Sequence, residues 1–203
     1  MLLLVNKTRN SAVDKYPVKK YPIVGACVLN CGLCPRYYTE GKSRCPGCCG
    51  SDFWQKHPGC AFITCCVKKK NLETCAQCVD YAECERVARL LDSTKYHDSF
   101  LSHKPIAANF AFIQKNGIEE FIRLETEKQE FLKYLIDHYD EGRSKSFFCT
   151  CCQLIPLGRL KEALADVETK ITEDTGIKDK AKFVRAAINN LADTLQIDLK
   201  LRK

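Results

Sequence analysis

Cys27-Val-Leu-Asn-Cys31-Gly-Leu-Cys34-Pro35 opens the segment that decides how this chain folds. Of the chain's 15 cysteines, twelve fall between Cys27 and Cys84, and the same stretch carries Gly32, Gly41, Gly47, Gly50 and Gly59 with Pro35, Pro46 and Pro58. Glycine and proline at this density favour loops and tight turns over regular elements. Such a segment holds too few apolar side chains to form a core alone, and ordering each residue costs about 1–2 kcal/mol of backbone entropy. Metal bound through thiolates contributes on the order of 10 kcal/mol per site. The segment is therefore expected to fold around metal.

The thiols recur in short sets. The first is C-x3-C-x2-C at Cys27, Cys31 and Cys34. The second is Cys45-Pro-Gly-Cys48, followed at once by Cys49. The third is Cys60-x4-Cys65, followed by Cys66, and the fourth is Cys75-Ala-Gln-Cys78, with Cys84 six residues on. A C-x2-C pair on a turn is a bidentate clip for zinc or for an iron–sulfur cluster. A lone cysteine behaves as a small hydrophobe, but a dozen set among glycines and prolines do not fit that reading. The vicinal residues Cys49 and Cys66 are expected to be bystanders or to sit behind the ligands.

Composition narrows the setting. No apolar run approaches the length of a membrane span. Leu2–Val5 is too short for a secretory leader and no small-residue cleavage site follows it, so a cytoplasmic protein is expected. Thiols there stay reduced, and the odd cysteine count also argues against a fully paired disulfide framework. The sequon Asn6-Lys7-Thr8 carries no weight without a secretion signal. Lys+Arg exceed Asp+Glu by 32 − 25 = 7. The tight basic runs, Lys19-Lys20 and Lys68-Lys69-Lys70, read as solvated faces. Two tetrathiolate sites of about −2 each would leave about +3, so the basic excess balances thiolates more naturally than nucleic acid.

Past the cysteines the pattern turns helical. A short helix is expected over about 81–92, and an apolar segment that begins with Phe110, Phe112 and Ile113 and stops near Gly117. A long helix is expected over 118–139, with Ile118, Phe121, Leu132, Leu135 and Tyr139 on one stripe and Glu125, Glu127, Lys128 and Glu130 on a solvated face; Gly142 is its stop. Two more are expected over about 156–173 and 179–195, and the alternation from Ile197 to Arg202 reads as a short half-buried strand. The fold class is mainly α: an extension at 1–26, a loop-rich metal-bound region at 27–92, and a helical region at 105–203 that braces it.

The identity of the metal is less sharply fixed by spacing. Zinc prefers closed tetrahedral sets, and Cys31/Cys34, Cys45/Cys48 and Cys75/Cys78 can supply them. The x3-x2 triplet suits a cubane better, with three corners held close in sequence and a fourth by a distant ligand or a substrate. The same triplet marks radical S-adenosylmethionine enzymes, but those alternate strands and helices after it, whereas here nine more clustered cysteines and then helices follow. Redox thiols or disulfides are a further alternative.

These motifs resemble domain-of-unknown-function family 3795, cysteine-rich prokaryotic proteins common in anaerobes. The likeness runs through Cys27-x3-Cys31-Gly-Leu-Cys34-Pro, Arg44-Cys-Pro-Gly-Cys48, Cys60-x4-Cys65 and Cys75-x2-Cys78 with Cys84. It extends to Asn116-Gly-Ile-Glu-Glu-Phe121, Gly142-Arg-Ser-Lys-Ser-Phe-Phe-Cys149 and the terminal Leu199-Lys-Leu-Arg-Lys. Cys49, Cys66, Cys151, Cys152 and Glu83 depart from the pattern. The family supplies no established activity. The resemblance implies metal binding through Cys27, Cys31, Cys34, Cys45, Cys48, Cys60, Cys65, Cys75, Cys78 and Cys84. The expectation is one or two [4Fe–4S] clusters, with zinc as the alternative, in an electron-transfer protein or accessory subunit of an anaerobic redox system. That role implies a protein redox partner and no membrane. A zinc-stabilised interaction module, or an enzyme with a substrate-accessible cluster, are the other readings.

Three further signals stand beside the ten cysteines. Cys149, Cys151 and Cys152 either cap a metal site with an open corner or lie buried between helices. His57 is a possible extra ligand, with surface or hydrogen-bonding roles the plainer alternative. Phe53-Trp54 is expected to cover the cysteine region and exclude water.

Overall fold

The computed structural model describes residues 17–57 and 59–202, so the Asn6 sequon, the Leu2–Val5 stretch and most of the 1–26 extension lie outside it. Seven α-helices are placed among the described residues: α1 (Phe53–Lys56), α2 (Glu85–Ser93), α3 (Ile106–Asn116), α4 (Ile118–Tyr139), α5 (Lys145–Leu154), α6 (Leu157–Glu168) and α7 (Ile177–Thr194). The cysteine segment adds three 3-10 turns, Cys31–Leu33, Gly41–Ser43 and Cys75–Gln77, and a π-helix over Ile63–Lys69. No strand occurs among the described residues. The protein is mainly α, and helices α4, α6 and α7 follow from their three- and four-residue apolar spacings.

Three apolar clusters hold the molecule together. The largest joins Leu132 and Leu135 of α4, Phe148 of α5, Leu160 and Leu164 of α6, and Val184 and Ile188 of α7, with Leu33 of the first cysteine turn inserted among them. A second joins Val24, Val28 and Ala76 to Val87 of α2, Ile106, Phe110 and Ile113 of α3, and Phe121 of α4. A third, inside the cysteine segment, is built from Ala26, Cys48, Cys49, Phe53, Ile63, Cys66 and Val67. The braces are thus direct: the Cys31 turn sits on α4 and α5, and the Cys75 turn sits on α3.

Four expectations are corrected. The C-terminal alternation appears as alternating burial, with Ile197 and Leu199 half-buried against the main core, but no neighbouring edge exists among the described residues to pair with, so the segment is extended chain rather than strand. Its end is fixed instead by Asp98, which accepts from Arg202 N at 2.8 Å and from the Arg202 guanidinium at 2.9 and 3.0 Å. Residues 145–154, read without a helix, form α5. Glu125, read onto a solvated face, is 2% exposed. Helix α4 ends at Tyr139; Gly142 (φ +94°) lies in the next turn, where the Asp140 carboxylate accepts from Gly142, Ser144 and Lys145 N–H and so leads into α5.

Candidate metal centre

The two C-x2-C turns have the same backbone. In the first, Leu33 N donates to Asn30 O (2.9 Å), Cys34 N to Cys31 O (3.2 Å) and Tyr37 N to Cys34 O (2.9 Å). In the second, Gln77 N donates to Thr74 O (3.1 Å), Cys78 N to Cys75 O (3.1 Å) and Tyr81 N to Cys78 O (3.2 Å). The closing cysteines match as well, with φ −78°, ψ 135° at Cys34 and φ −76°, ψ 129° at Cys78. C-x2-C-x2-Tyr is therefore one structural unit used twice. Cys45-Pro-Gly-Cys48 differs: Gly47 has φ +82°, and a Cβ there would lie 2.4 Å from the Pro22 carbonyl oxygen, so only glycine fits.

Buried polar groups lock the first turn onto the helices. Asn30, directly before Cys31, donates to Glu125 of α4 at 2.7 Å and accepts from Asn109 of α3 at 3.0 Å and Gln153 of α5 at 3.3 Å. Glu125 also takes a salt bridge from Lys128 at 2.8 Å. Gly32 lies so close to α4 that a Cβ would meet Gln129 Nε2 at 2.6 Å. Between Cys27 and Cys31, the buried Val28 holds φ +64°, a left-handed conformation costly for a β-branched residue. Asn109 Nδ2 bonds its carbonyl at 3.1 Å, helping to hold that strained loop.

The sequence-predicted thiols fall into two adjoining neighbourhoods. In the first, Cys27 interacts electrostatically with Cys48 and Cys60, and Cys31 with Cys48, Cys27 and Cys34. Burial pushes the Cys27 thiol up to about 11 and Cys31 well above its ordinary value, reinforced by the neighbouring thiols. Cys48 goes the other way, to about 6, because the Cys49 thiol donates to it, against burial, with further help from Lys19 and from Ala26 N–H at 3.3 Å. Cys34 and Cys45 lie at the edge of this group. The Cys45 sulfur is 3.4 Å from His57 Nε2, and the His57 ring stacks on Phe53 at 4.2 Å. Phe53 is buried beside Cys48 and Cys49.

The second neighbourhood surrounds a small, partly open cavity of about 50 Å3 lined by Cys65, Cys66, Cys75, Cys78 and Cys84 together with Lys70, Asp80, Tyr81 and Val87. The Cys75 thiol is raised, first by its hydrogen bond with Cys66 and then by burial, while that bond lowers Cys66. Lys70 Nζ lies 3.0 Å from the Cys78 sulfur and 2.6 Å from Asp80. Cys149, Cys151 and Cys152 join neither group as a set: α5 buries all three in the main core, though Cys149 lies near enough to Cys34 to interact with it.

The donor set is soft sulfur throughout, grouped and partly buried, with ammonium groups beside it, which suits a thiophilic metal. Among the described residues, no three His, Cys, Asp or Glu side chains already form a group that could hold a metal ion. Binding would have to draw thiols of one neighbourhood together.

Sequence reasoning missed Lys19, Asn30, Asn109, Glu125 and Gln153. Lys19 was read as part of a solvated basic run, yet it is 4% exposed, its Nζ donates to Val24 O at 2.5 Å, and it interacts with Cys31, Cys48 and Cys66. Only Asn30, adjacent to Cys31, carried any local signal. Comparisons with protein-family models, curated proteins and solved structures find no match for this chain. The family resemblance therefore rests on the quoted motif residues alone. No helix among the described residues is long and apolar enough to cross a membrane.

Proposed function

We propose that this protein is an iron–sulfur protein that passes electrons to a protein partner, either alone or as an accessory subunit of an anaerobic redox system. The observation that carries the reading is that thiols of separate loops lie within electrostatic reach of one another, Cys27 of Cys48 and Cys60 and Cys31 of Cys48, with the buried Lys19 in reach of Cys31 and Cys48. A buried ammonium whose side chain bonds one carbonyl oxygen is costly unless negative charge lies nearby. Thiolates supply that charge, and Lys19 in turn favours the ionised sulfurs a cluster needs. Bound there, a [4Fe–4S] cluster would supply one-electron transfer. Phe53, Ile63 and Val67 wall one side of the neighbourhood, where Cys48 is buried. The network of Asn30, Asn109, Glu125 and Gln153 fixes where Cys31 stands. Cys34 and Cys45 complete the ligand supply at the edge.

Anaerobically purified protein should be brown, contain iron and acid-labile sulfide, and give a paramagnetic resonance signal on one-electron reduction. A colourless preparation without iron or sulfide would remove the reading and leave the zinc module in its place.

A further inference from the structure

We propose that Cys66 and Cys75 are an oxidation site: a hydroperoxide joins them in a disulfide, and the bond takes Cys75 out of the set of thiols left for metal. The bond itself requires nothing of the proposed function. Only its consequence, the loss of a ligand, rests on the reading of this segment as thiolate metal chemistry.

The two sulfurs are already in contact. The Cys75 thiol hydrogen-bonds the Cys66 sulfur, and both residues line the same cavity. The backbone holds them there. Leu72 N donates to Cys66 O at 3.0 Å, which turns the chain back beside the π-helix, and Cys75 N donates to Ala26 O at 2.8 Å. Cys66 is 2% exposed and belongs to the cluster of Phe53 and Ile63, against which Cys75 also packs. Both cysteines are free thiols. Among the described residues no three potential ligands stand together, whereas a disulfide needs only two sulfurs whose backbones come close enough to bridge.

The other thiols are less suited to pair. The Cys78 sulfur is held by the Lys70 ammonium at 3.0 Å, and Cys65 is the sequence neighbour of Cys66. Cys48 and Cys49 also share a hydrogen bond, but a disulfide between sequence neighbours must close through a single planar peptide unit, far from relaxed geometry. The chemistry balances. One sulfur, as thiolate, attacks a peroxide oxygen, breaks the O–O bond and becomes a sulfenic acid as one water leaves. The second sulfur then displaces the hydroxyl, which leaves as another water. Two thiols thus lose two electrons and two protons, and hydrogen peroxide takes up both. Cys75 is half-buried at a partly open cavity, where a reagent as small as peroxide reaches it. Metal binds thiolate, so the bridged Cys75 is no longer a ligand. Cys66, which departs from the family pattern, thereby gains a chemical use.

The test uses the full chain, purified anaerobically and treated with hydrogen peroxide. Peptide mass spectrometry without reduction should find Cys66 linked to Cys75, and the count of free thiols should fall by two from 15. Dithiothreitol should restore it. Uptake of Zn2+, used as the probe, should be lower in the oxidised chain and recover on reduction; unchanged uptake removes the proposed consequence. Cys66→Ser should abolish the linkage, while Cys49→Ser should form it as the parent does. Far-UV circular dichroism checks folding, and should Cys66→Ser fail to fold, the peptide map of the parent decides alone. Absence of the linkage in the treated parent, Cys75 joined to another cysteine, or a Cys48–Cys49 bond in its place overturns the inference. Iron in protein that never forms the linkage sinks this inference alone, whereas the linkage in protein that never holds iron sinks the electron-transfer reading alone.

Discussion

Asp98 is 4% exposed, yet it is ionised, because Ser102, the His103 N–H and both the backbone and guanidinium of Arg202 point at its oxygens. Burial works to raise its pKa, and the Arg202 hydrogen bonds and charge overcome that and hold it well below the usual carboxylate range. A carboxylate depressed in the folded state stabilises the fold above its unfolded value of about 3.9, and the contribution disappears as acid protonates it. Asp98→Asn should therefore cost about 3 kcal/mol of unfolding free energy at neutral pH. The gap to the parent should close as pH falls from about 5 toward about 2. Urea unfolding across that range checks it, and a gap that does not change with pH would remove the electrostatic explanation. Asn30 is the comparable residue on the metal side. Asn30→Ala strips the nearly buried Glu125 of one of its two partners and should cost about 2–3 kcal/mol. Because Asn30 abuts Cys31, any iron held there, as the proposed function requires, should fall with it. Asn116→Ala, at an exposed residue whose amide bonds the Phe112 carbonyl, should stay within about 0.5 kcal/mol.

Helix α5 shows at the scale of an element what periodicity can and cannot reveal. Helices α4, α6 and α7 expose one face, so their apolar residues recur at threes and fours and are legible. Helix α5 buries Phe148, Cys149, Thr150, Cys151, Cys152 and Gln153 in succession, so its burial does not follow the three- and four-residue spacing of an apolar stripe. Its thiols looked like a second ligand group for the same reason that they are core: they are small and close together. Burial, reinforced by the neighbouring Cys34, pushes the Cys149 thiol up to about 12, and burial likewise raises Cys151 and Cys152. A water-soluble alkylating reagent should leave these three unmodified in native protein and label them all after unfolding, as read by peptide mass spectrometry. Native labelling of Cys151 or Cys152 would place them outside the core. The cysteine segment was legible in a different way. Spacing alone marked the C-x2-C turns, because three intervening peptide units fix that geometry. Which turns share a neighbourhood was hidden, since it depends on contacts such as Asn30 to Glu125 that span 95 residues. The terminal alternation misled because period-two burial does not require a partner strand.

At the scale of the molecule, the question is how far the fold depends on metal. The cluster that joins α4, α5, α6 and α7 is made of Leu132, Leu135, Phe148, Leu160, Leu164, Val184 and Ile188, and its buried cysteines are the α5 thiols rather than candidate ligands. The cluster inside the cysteine segment is different, because Cys48 and Cys66 are themselves part of its wall. Metal that binds the folded segment and not the unfolded one stabilises it by mass action. On the proposed reading, loss of metal should therefore open the segment around Cys48 and Cys75 as a local event and leave the helical core closed. Treating the anaerobic protein with a strong chelator should lower the midpoint of thermal unfolding while most of the far-UV helical signal remains at room temperature. Amide hydrogen exchange should show the reason: protection at Cys34 and Cys78, whose N–H groups close the turns, and at Cys48, whose N–H donates to the Pro22 carbonyl, should fall, while Leu135 and Ile188 keep theirs. If helical signal and metal content were instead lost together, residues 27–84 and the helices would form one cooperative unit, with Leu33 and the Asn30 network carrying the collapse from the turns into α4 and α5.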